Sequence, residues 1–227
     1  MMLQLALAMT AFVGMHFLLS SRLLRDPLVA RLGEGPFRGL YSLIAAATLI
    51  WAVVAYNRAP VDGLSMPPAW LQPLPAMIMP LAVLLLVGAL TQSNPTLAGM
   101  ENRAALRASG ILAITRHPML WAFAIWALLH LLANPDAASR IFFGGLIVLS
   151  LGGTMAIDAR KRRQHPAEWV AFAAASSNLP FAALMAGRAR LRFADFGWWR
   201  LALAILLYAA LLALHPILFG APAVPVG

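Results

Sequence analysis

The sequence contains no cysteine and few charged residues, and both features narrow the class of protein. Without cysteine there can be no disulfide, no thiolate metal site and no covalently attached c-type haem. Charged residues make up 11% of the 227-residue chain, whereas soluble domains average about a quarter. Hydrophobic residues make up 62%, so the composition predicts an integral membrane protein.

The common catalytic signatures are missing as well. There is no Gly-x-Ser-x-Gly nucleophile motif, no phosphate-binding glycine loop and no dinucleotide fingerprint. The formal net charge of +9 comes from short basic clusters beside apolar runs. That pattern is typical of membrane topology and of contact with anionic lipid headgroups, so we expect membrane lipid, and not nucleic acid, as the partner.

Six apolar runs are long enough, or bounded well enough, to be read as transmembrane helices. No linker or repeat divides the chain, so one domain covering residues 1–227 is expected. The fold class is therefore predicted as all-α, a polytopic membrane bundle of about six helices. The predicted spans are Leu3–Leu19, Gly39–Tyr56, Pro73–Thr91, Pro118–Ala133, Ile141–Ile157 and Leu201–Leu218. Between the third and fourth spans, apolar residues from Leu97 to Ile111 recur at helical spacing and predict a short interfacial helix.

The basic residues predict the orientation of these spans. The loops after spans one, three and five, taken through Arg200, hold 15 of the 17 Arg and Lys residues. The loops after spans two and four hold only Arg58 and Arg140. The positive-inside rule puts the rich loops in the cytoplasm, so both termini are expected on the extracytoplasmic side.

Histidines are the candidate chemical groups. His165 follows a basic cluster and is expected on the surface, whereas His16, His117, His130 and His215 fall within spans or at their ends. An ionisable side chain within a span is costly and usually functional. For His117 and His215, near helix ends, a hydrogen bond to a neighbouring helix or a headgroup-level position is an equally good interpretation. Neutral imidazole is a good iron ligand, which makes haem b a natural cofactor.

Several short motifs occur in an order that resembles the NnrU family of membrane proteins, and together they cover most of the chain. They are Gly14–His16, Arg38–Leu43 (RGLYSL), Gly110–Pro118 (GILAITRHP), His130–Asn134 (HLLAN), Asp158–Arg162 (DARKR) and Ser177–Ala183 (SNLPFAA). The resemblance implies a multi-pass protein of the bacterial cytoplasmic (inner) membrane that is linked to denitrification and nitric oxide metabolism.

The same family contains 15-cis-zeta-carotene isomerase, which uses haem b in a redox-dependent double-bond isomerisation. By position, the resemblance implies His16 and His130 as ligands of the haem iron and His117 as a further functional histidine. At the position of another isomerase histidine this chain has Asn57 or Arg58. A small hydrophobic substrate or nitric oxide is the implied ligand class, and an isomerase or redox activity is one expectation among several.

Helix geometry leaves the choice of histidine pair open. His16 is expected about 6 Å, and His130 about 18 Å, from the cytoplasmic surface at 1.5 Å per residue. Two axial ligands of one iron need nitrogens only about 4 Å apart. His16 with His117, or His130 with His215, agree better in depth than His16 with His130.

Two alternatives belong to other functional classes. Arg116-His117-Pro118 resembles the Arg-His-Pro motif by which membrane methyltransferases bind S-adenosylmethionine, but Leu120 and Ala122 stand where those enzymes have tyrosine and glycine. The other alternative is a non-enzymatic membrane component that supports assembly or regulation of denitrification enzymes. In every case we expect an inward-facing functional surface that includes Arg38, Arg116 and His117, with the basic run Arg160–Arg163 beside it.

Overall fold

A computed structural model describes residues 1–60, 68–97 and 108–223, and every regular element in these ranges is helical. The predicted all-α fold is therefore confirmed for the described part of the chain. The longer helices are α1 (Met2–Ser20), α2 (Arg22–Leu32), α3 (Glu34–Asn57), α4 (Leu74–Thr91), α6 (Pro118–Ala133), α7 (Ala137–Gln164), α8 (Pro166–Ala175) and α11 (Trp198–Phe219). The short ones are a 3₁₀ turn at Ala69–Leu71, α5 (Ile111–Ile114), α9 (Ala182–Met185) and α10 (Phe193–Phe196).

Five described helices are long and apolar enough to cross a membrane, namely α1, α3, α4, α7 and α11. They match five of the six predicted spans, and they identify the chain as a multi-pass membrane protein. The remaining predicted span is α6, which has 16 residues. At 1.5 Å per residue α6 is about 24 Å long, which is less than the roughly 30 Å hydrocarbon core of a bilayer. A sixth crossing, and the sides on which the termini lie, remain predictions.

Neighbouring helices run in directions that agree with an up-and-down bundle. In α7, Gly145 packs against Met9 and Gly152 against Phe17, so α1 and α7 run parallel. Helix α6 runs antiparallel to α7, because Leu120 contacts Gly153 near the beginning of α6, whereas the ring of His130 lies near Phe143, one turn into α7. Helix α11 packs against α4.

The bundle therefore has two distinct ends. One end holds the C-terminal ends of α1 and α7 together with the arginines of α2, and we call it the arginine-rich end. The opposite end holds the beginning of α7, where the Tyr56 hydroxyl shares a 2.9 Å hydrogen bond with the hydroxyl of Ser139. Which of these ends faces the cytoplasm is a prediction of the positive-inside rule.

Helix α2 lies in a segment that the sequence analysis treated only as an arginine-containing loop. It contains Pro27, and none of its residues is buried. Gly33 separates α2 from α3 with φ of +84°, a conformation that side chains with a Cβ rarely adopt. Most of the predicted interfacial helix, residues 98–107, lies outside the described residues. Residues 108–110 are not helical, and of the predicted helix only Ile111 lies in α5.

Candidate functional site

Three of the motif stretches meet near the arginine-rich end of the bundle. The Thr115–His117 stretch precedes α6, Asp158 lies in the last third of α7, and Ser177–Ala183 follows α8. Backbone hydrogen bonds join the first and third stretches: the Arg116 N–H donates to the carbonyl of Ser177 at 2.9 Å, and the Phe181 N–H donates to that of Ile114 at 2.8 Å. Stretches more than 40 residues apart therefore form one compact unit.

Asp158 accepts hydrogen bonds from both Arg116 and His117. The Arg116 Nε lies 3.0 Å from each carboxylate oxygen, and its Nη2 also contacts Oδ2. The His117 Nε2 lies 2.6 Å from Oδ1. The side chains of Arg116 and Asp158 are each 13% exposed, and His117 is fully buried. A guanidinium that binds a carboxylate through two nitrogens is the strongest geometry for such a pair, so this cluster is rigid.

His117 is held as a neutral imidazole. Burial lowers its pKa and outweighs the opposite effects of the hydrogen bond and the Coulomb attraction from Asp158. Because a carboxylate only accepts, Nε2 carries the proton and Nδ1 carries the lone pair. That Nδ1 is buried and has no hydrogen-bond partner. The Nδ1 of His117 is therefore a buried nitrogen of fixed orientation that carries a lone pair.

Asn178 ties this cluster to two helices. Its backbone carbonyl accepts a 2.6 Å hydrogen bond from the Thr115 hydroxyl. Its side-chain oxygen accepts from Trp121 Nε1 at 3.2 Å, and its amide donates to the Thr154 hydroxyl at 2.9 Å. The side chain of Asn178 is thus bonded to α6 through its oxygen and to α7 through its amide nitrogen.

Asp158 and Thr154 were not predicted as partners of this unit. Asp158 was noted only as the first residue of a motif. The available signal was its position, since an aspartate beside a predicted span is costly unless paired. Arg38, Arg116 and Arg200 each precede a predicted span at the same end, so the sequence does not tell which of them is the partner. Thr154 carries no such signal, because threonine in a membrane helix commonly bonds its own backbone.

His16 lies in the last turns of α1, among aromatic rings. Its Nδ1 donates to the carbonyl of Phe12 at 2.7 Å, which leaves the lone pair on Nε2. The ring centroid lies 4.5 Å from that of Phe12 and 5.4 Å from that of Tyr41 on α3. The predicted site residue is therefore half-buried between α1 and α3.

His130 lies near the end of α6 and contacts a second histidine. Its Nδ1 donates to the carbonyl of Trp126 at 2.8 Å, and its ring lies 5.2 Å from that of Phe143. The ring of His215, on α11, is 6.4 Å away with the planes inclined by 30°. His215 also uses Nδ1 to donate, here to the carbonyl of Ala221 at 2.6 Å. In both rings the lone pair is consequently on Nε2.

A family model described as "NnrU protein" matches residues 4–223 of the chain. The chain belongs to the NnrU family. No curated protein and no solved structure gives a significant match. The resemblance drawn from the short motifs is confirmed, and the three stretches that meet around Asp158 all belong to those motifs.

The three predicted site histidines of this family member lie at different levels along α7. His117 bonds Asp158, the residue after His16 packs on Gly152, and His130 contacts Phe143. At 1.5 Å per residue, His16 is then about 10 Å from the level of His117 and about 12 Å from that of His130. Among the described residues, ring contacts join His130 to His215 and do not join it to His16.

The positions of these histidines can be compared with the geometry that a haem iron would need. Two axial imidazole nitrogens lie about 4 Å apart, since each metal–nitrogen bond is about 2 Å. The levels of His16 and His130 along α7 differ by more than this distance, whereas the ring centroids of His130 and His215 are 6.4 Å apart. Ligating histidines usually donate their second nitrogen to a carbonyl or carboxylate, as His130 and His215 do. No group of three or more His, Asp or Glu residues suited to a metal ion occurs within the described ranges.

Proposed function

We propose that this NnrU family protein is a haem b protein of the bacterial cytoplasmic membrane, in which His130 and His215 would hold the iron. The single observation that carries the proposal is the 6.4 Å separation of the two rings, each with its Nδ1 bonded to a backbone carbonyl. His215 takes the place that the family resemblance gave to His16. Denitrification and nitric oxide metabolism, implied by the same resemblance, are the proposed setting.

The surroundings of His130 support this assignment. The Trp126 and Phe143 rings lie 4.7 Å and 5.2 Å from the imidazole, and the Trp126 carbonyl fixes its orientation. Oriented imidazoles with an apolar shell are the means by which proteins tune haem iron. When bound, haem b supplies an iron that alternates between the ferric and ferrous states. The chain's own part is to orient two Nε2 atoms and to keep water from them with aromatic rings.

The experiment is an absorption spectrum of the protein purified in mild detergent after haem-supplemented expression, first air-oxidised and then reduced with dithionite. We expect a Soret band and sharp reduced α and β bands, which indicate six-coordinate b haem. Replacing His130 or His215 with alanine should abolish the six-coordinate spectrum, and His16→Ala should leave it unchanged. A spectrum lost only in His16→Ala and His130→Ala restores the pair from the family resemblance. A featureless spectrum removes the haem proposal.

A second candidate function is a non-enzymatic component that supports assembly or regulation of denitrification enzymes. It is favoured by the observation that Arg116 and His117 are engaged by Asp158 and are buried, so the motif stabilises the fold. The same engagement argues against binding of S-adenosylmethionine by Arg116 and His117. Co-purification of a denitrification enzyme by the haem-free protein supports the assembly role, and saturable binding of S-adenosylmethionine supports the methyltransferase alternative.

A further inference from the structure

A polar cavity of about 290 Å³ lies at the arginine-rich end and takes no part in the proposed haem site. It is formed by the junction of α1 and α2 on one side and by the last turns of α7 on the other. Its lining includes Arg22 and Arg25 from α2 and Arg160 and Arg163 from α7. The volume is at the small end of the range for ligand sites, which suits a headgroup better than a large molecule.

The charge of this cavity favours an anion. Four arginines face a single lining acid, Asp26, which lies 3.9 Å from the guanidinium groups of both Arg22 and Arg25. Counting also Glu34 and Arg38, which form an ion pair, five positive charges meet two negative ones, a net charge of +3. Arginine is the residue best matched to phosphate, because its planar fork can donate two parallel hydrogen bonds.

One of these arginines is held in place from outside the cavity. The Arg25 Nη2 lies 2.8 Å and 2.9 Å from the two carboxylate oxygens of Glu34, and the Arg25 side chain is only 14% exposed. The cavity wall on the α2 side is therefore anchored. Arg22 is 78% exposed, so its side chain can move to meet an incoming group.

Helix α2 indicates where the anion comes from. Leu23 and Leu24 follow Arg22 directly and are 84% and 36% exposed. A helix that carries exposed leucines beside arginines is typical of one that lies in the membrane interface, with its leucines in the acyl-chain region. A phosphate held by these arginines would therefore have lipid tails immediately beside it, which favours a phospholipid over a free phosphate.

We infer that this cavity binds the phosphate group of an anionic phospholipid. Basic pockets between membrane helices are known to bind such headgroups, and their affinity comes from charge and from arginine geometry. The bound lipid would join α2 to the end of α7, only a few residues after Asp158. The bound lipid would then stabilise both the cavity and the nearby cluster around Asp158.

The test uses the full-length protein in nanodiscs of phosphatidylcholine with or without phosphatidylglycerol, followed by release into detergent and native mass spectrometry. We expect retained phosphatidylglycerol in the natural protein and a several-fold loss in Arg22→Gln/Arg163→Gln. The matched control is Arg58→Gln/Arg140→Gln, which removes the same charge at the opposite end of the bundle. Circular dichroism of both variants establishes that each remains folded.

Each outcome decides the inference. Loss of retained lipid in the cavity variant alone supports it, and equal retention in both double variants overturns it. Inorganic phosphate is added to lipid-free protein in a parallel thermal-shift assay. If phosphate raises the melting temperature of the natural protein but not of the cavity variant, and no phosphatidylglycerol is retained, the site binds a soluble anion and the lipid assignment is wrong.

Discussion

His130 and His215 lie 85 positions apart in the sequence, yet their ring centroids are 6.4 Å apart at one end of the bundle. The contact exists because α6 and α11 both present a histidine about one turn before they end. Each ring is oriented by a hydrogen bond to a nearby carbonyl, of Trp126 or of Ala221. In the proposed haem protein, the Nε2 atoms of these two rings are the atoms that would hold the iron.

The identity of the second iron ligand can be tested through its effect on redox potential. We expect His215→Met to keep a six-coordinate haem and to raise its midpoint potential, because a methionine axial ligand favours ferrous iron. His16→Met should leave the potential unchanged. Spectroelectrochemical titration of the purified variants measures this directly. A potential that moves in His16→Met and stays constant in His215→Met would contradict the assignment.

The buried state of His117 predicts a pH dependence of stability. Its pKa is lowered below the ordinary value of 6.5, so the folded protein resists a proton that the unfolded chain accepts. The contribution of His117 to the free energy of unfolding is therefore fully present above pH 6.5. It is lost as the pH falls below 6.5, by at most about 1.4 kcal/mol per pH unit.

The measurement is the apparent melting temperature in detergent as a function of pH, for the natural protein and for His117→Gln. The natural protein should lose its advantage over the variant as the pH is lowered from 7.5 to 5.5, a window chosen to bracket the ordinary histidine pKa. Parallel curves would mean that His117 is protonated as easily in the folded protein as in the unfolded chain.

Local sequence patterns predicted the helices well and their partners poorly. The apolar runs located α1, α4 and α11 to within about two residues at most ends, since hydropathy and length are local properties. Helix α2 was missed because Pro27 and the arginines of its segment are typical of a loop. The bidentate contact of Arg116 with Asp158, 42 residues later, depends on how α6 and α7 pack, which no local pattern encodes.

The histidine pairs illustrate the same limit. Counting residues from the span ends separated His16 from His130 by about 12 Å, and the levels along α7 also separate them by about 12 Å. Their separation along the bundle could therefore be predicted. Which histidine lies beside His130 could not, because that depends on the order of helices around the bundle. The pairing of His130 with His215 was one of two that the sequence left open, and the ring contact between them shows that these two histidines lie together.

Two glycines of α7, Gly144 and Gly152, should respond differently to replacement by alanine. A Cβ at Gly152 would lie 2.6 Å from Cζ of Phe17, whereas a Cβ at Gly144 would meet nothing within 4 Å. Gly152→Ala should therefore destabilise the protein by about 1–3 kcal/mol through overpacking. Gly144→Ala should be neutral or stabilising by up to about 1 kcal/mol, since alanine is the better helix former. Melting temperatures of the two variants in one detergent check this, and equal losses would mean that α1 does not pack closely here.

Asp158 should be the most sensitive single position of the cluster. Asp158→Asn keeps the size of the side chain but leaves the buried Arg116 guanidinium without its counter-charge. Removing one partner of a buried ion pair costs about 3–5 kcal/mol, so we expect a large fall in melting temperature. Asp26→Asn is the matched control, because Asp26 is 57% exposed and its contacts are loose, and it should change little.

A double variant separates the charge effect from loss of the site as a whole. Arg116→Leu/Asp158→Leu removes both charges, and a buried ion pair replaced by apolar residues is often tolerated. We therefore expect the double variant to be more stable than either Arg116→Leu or Asp158→Leu alone, although His117 loses its acceptor in both variants that lack Asp158. Additive losses in this cycle would mean that the two residues act independently. In that case the contact between Arg116 and Asp158 would not be what holds α6 to α7.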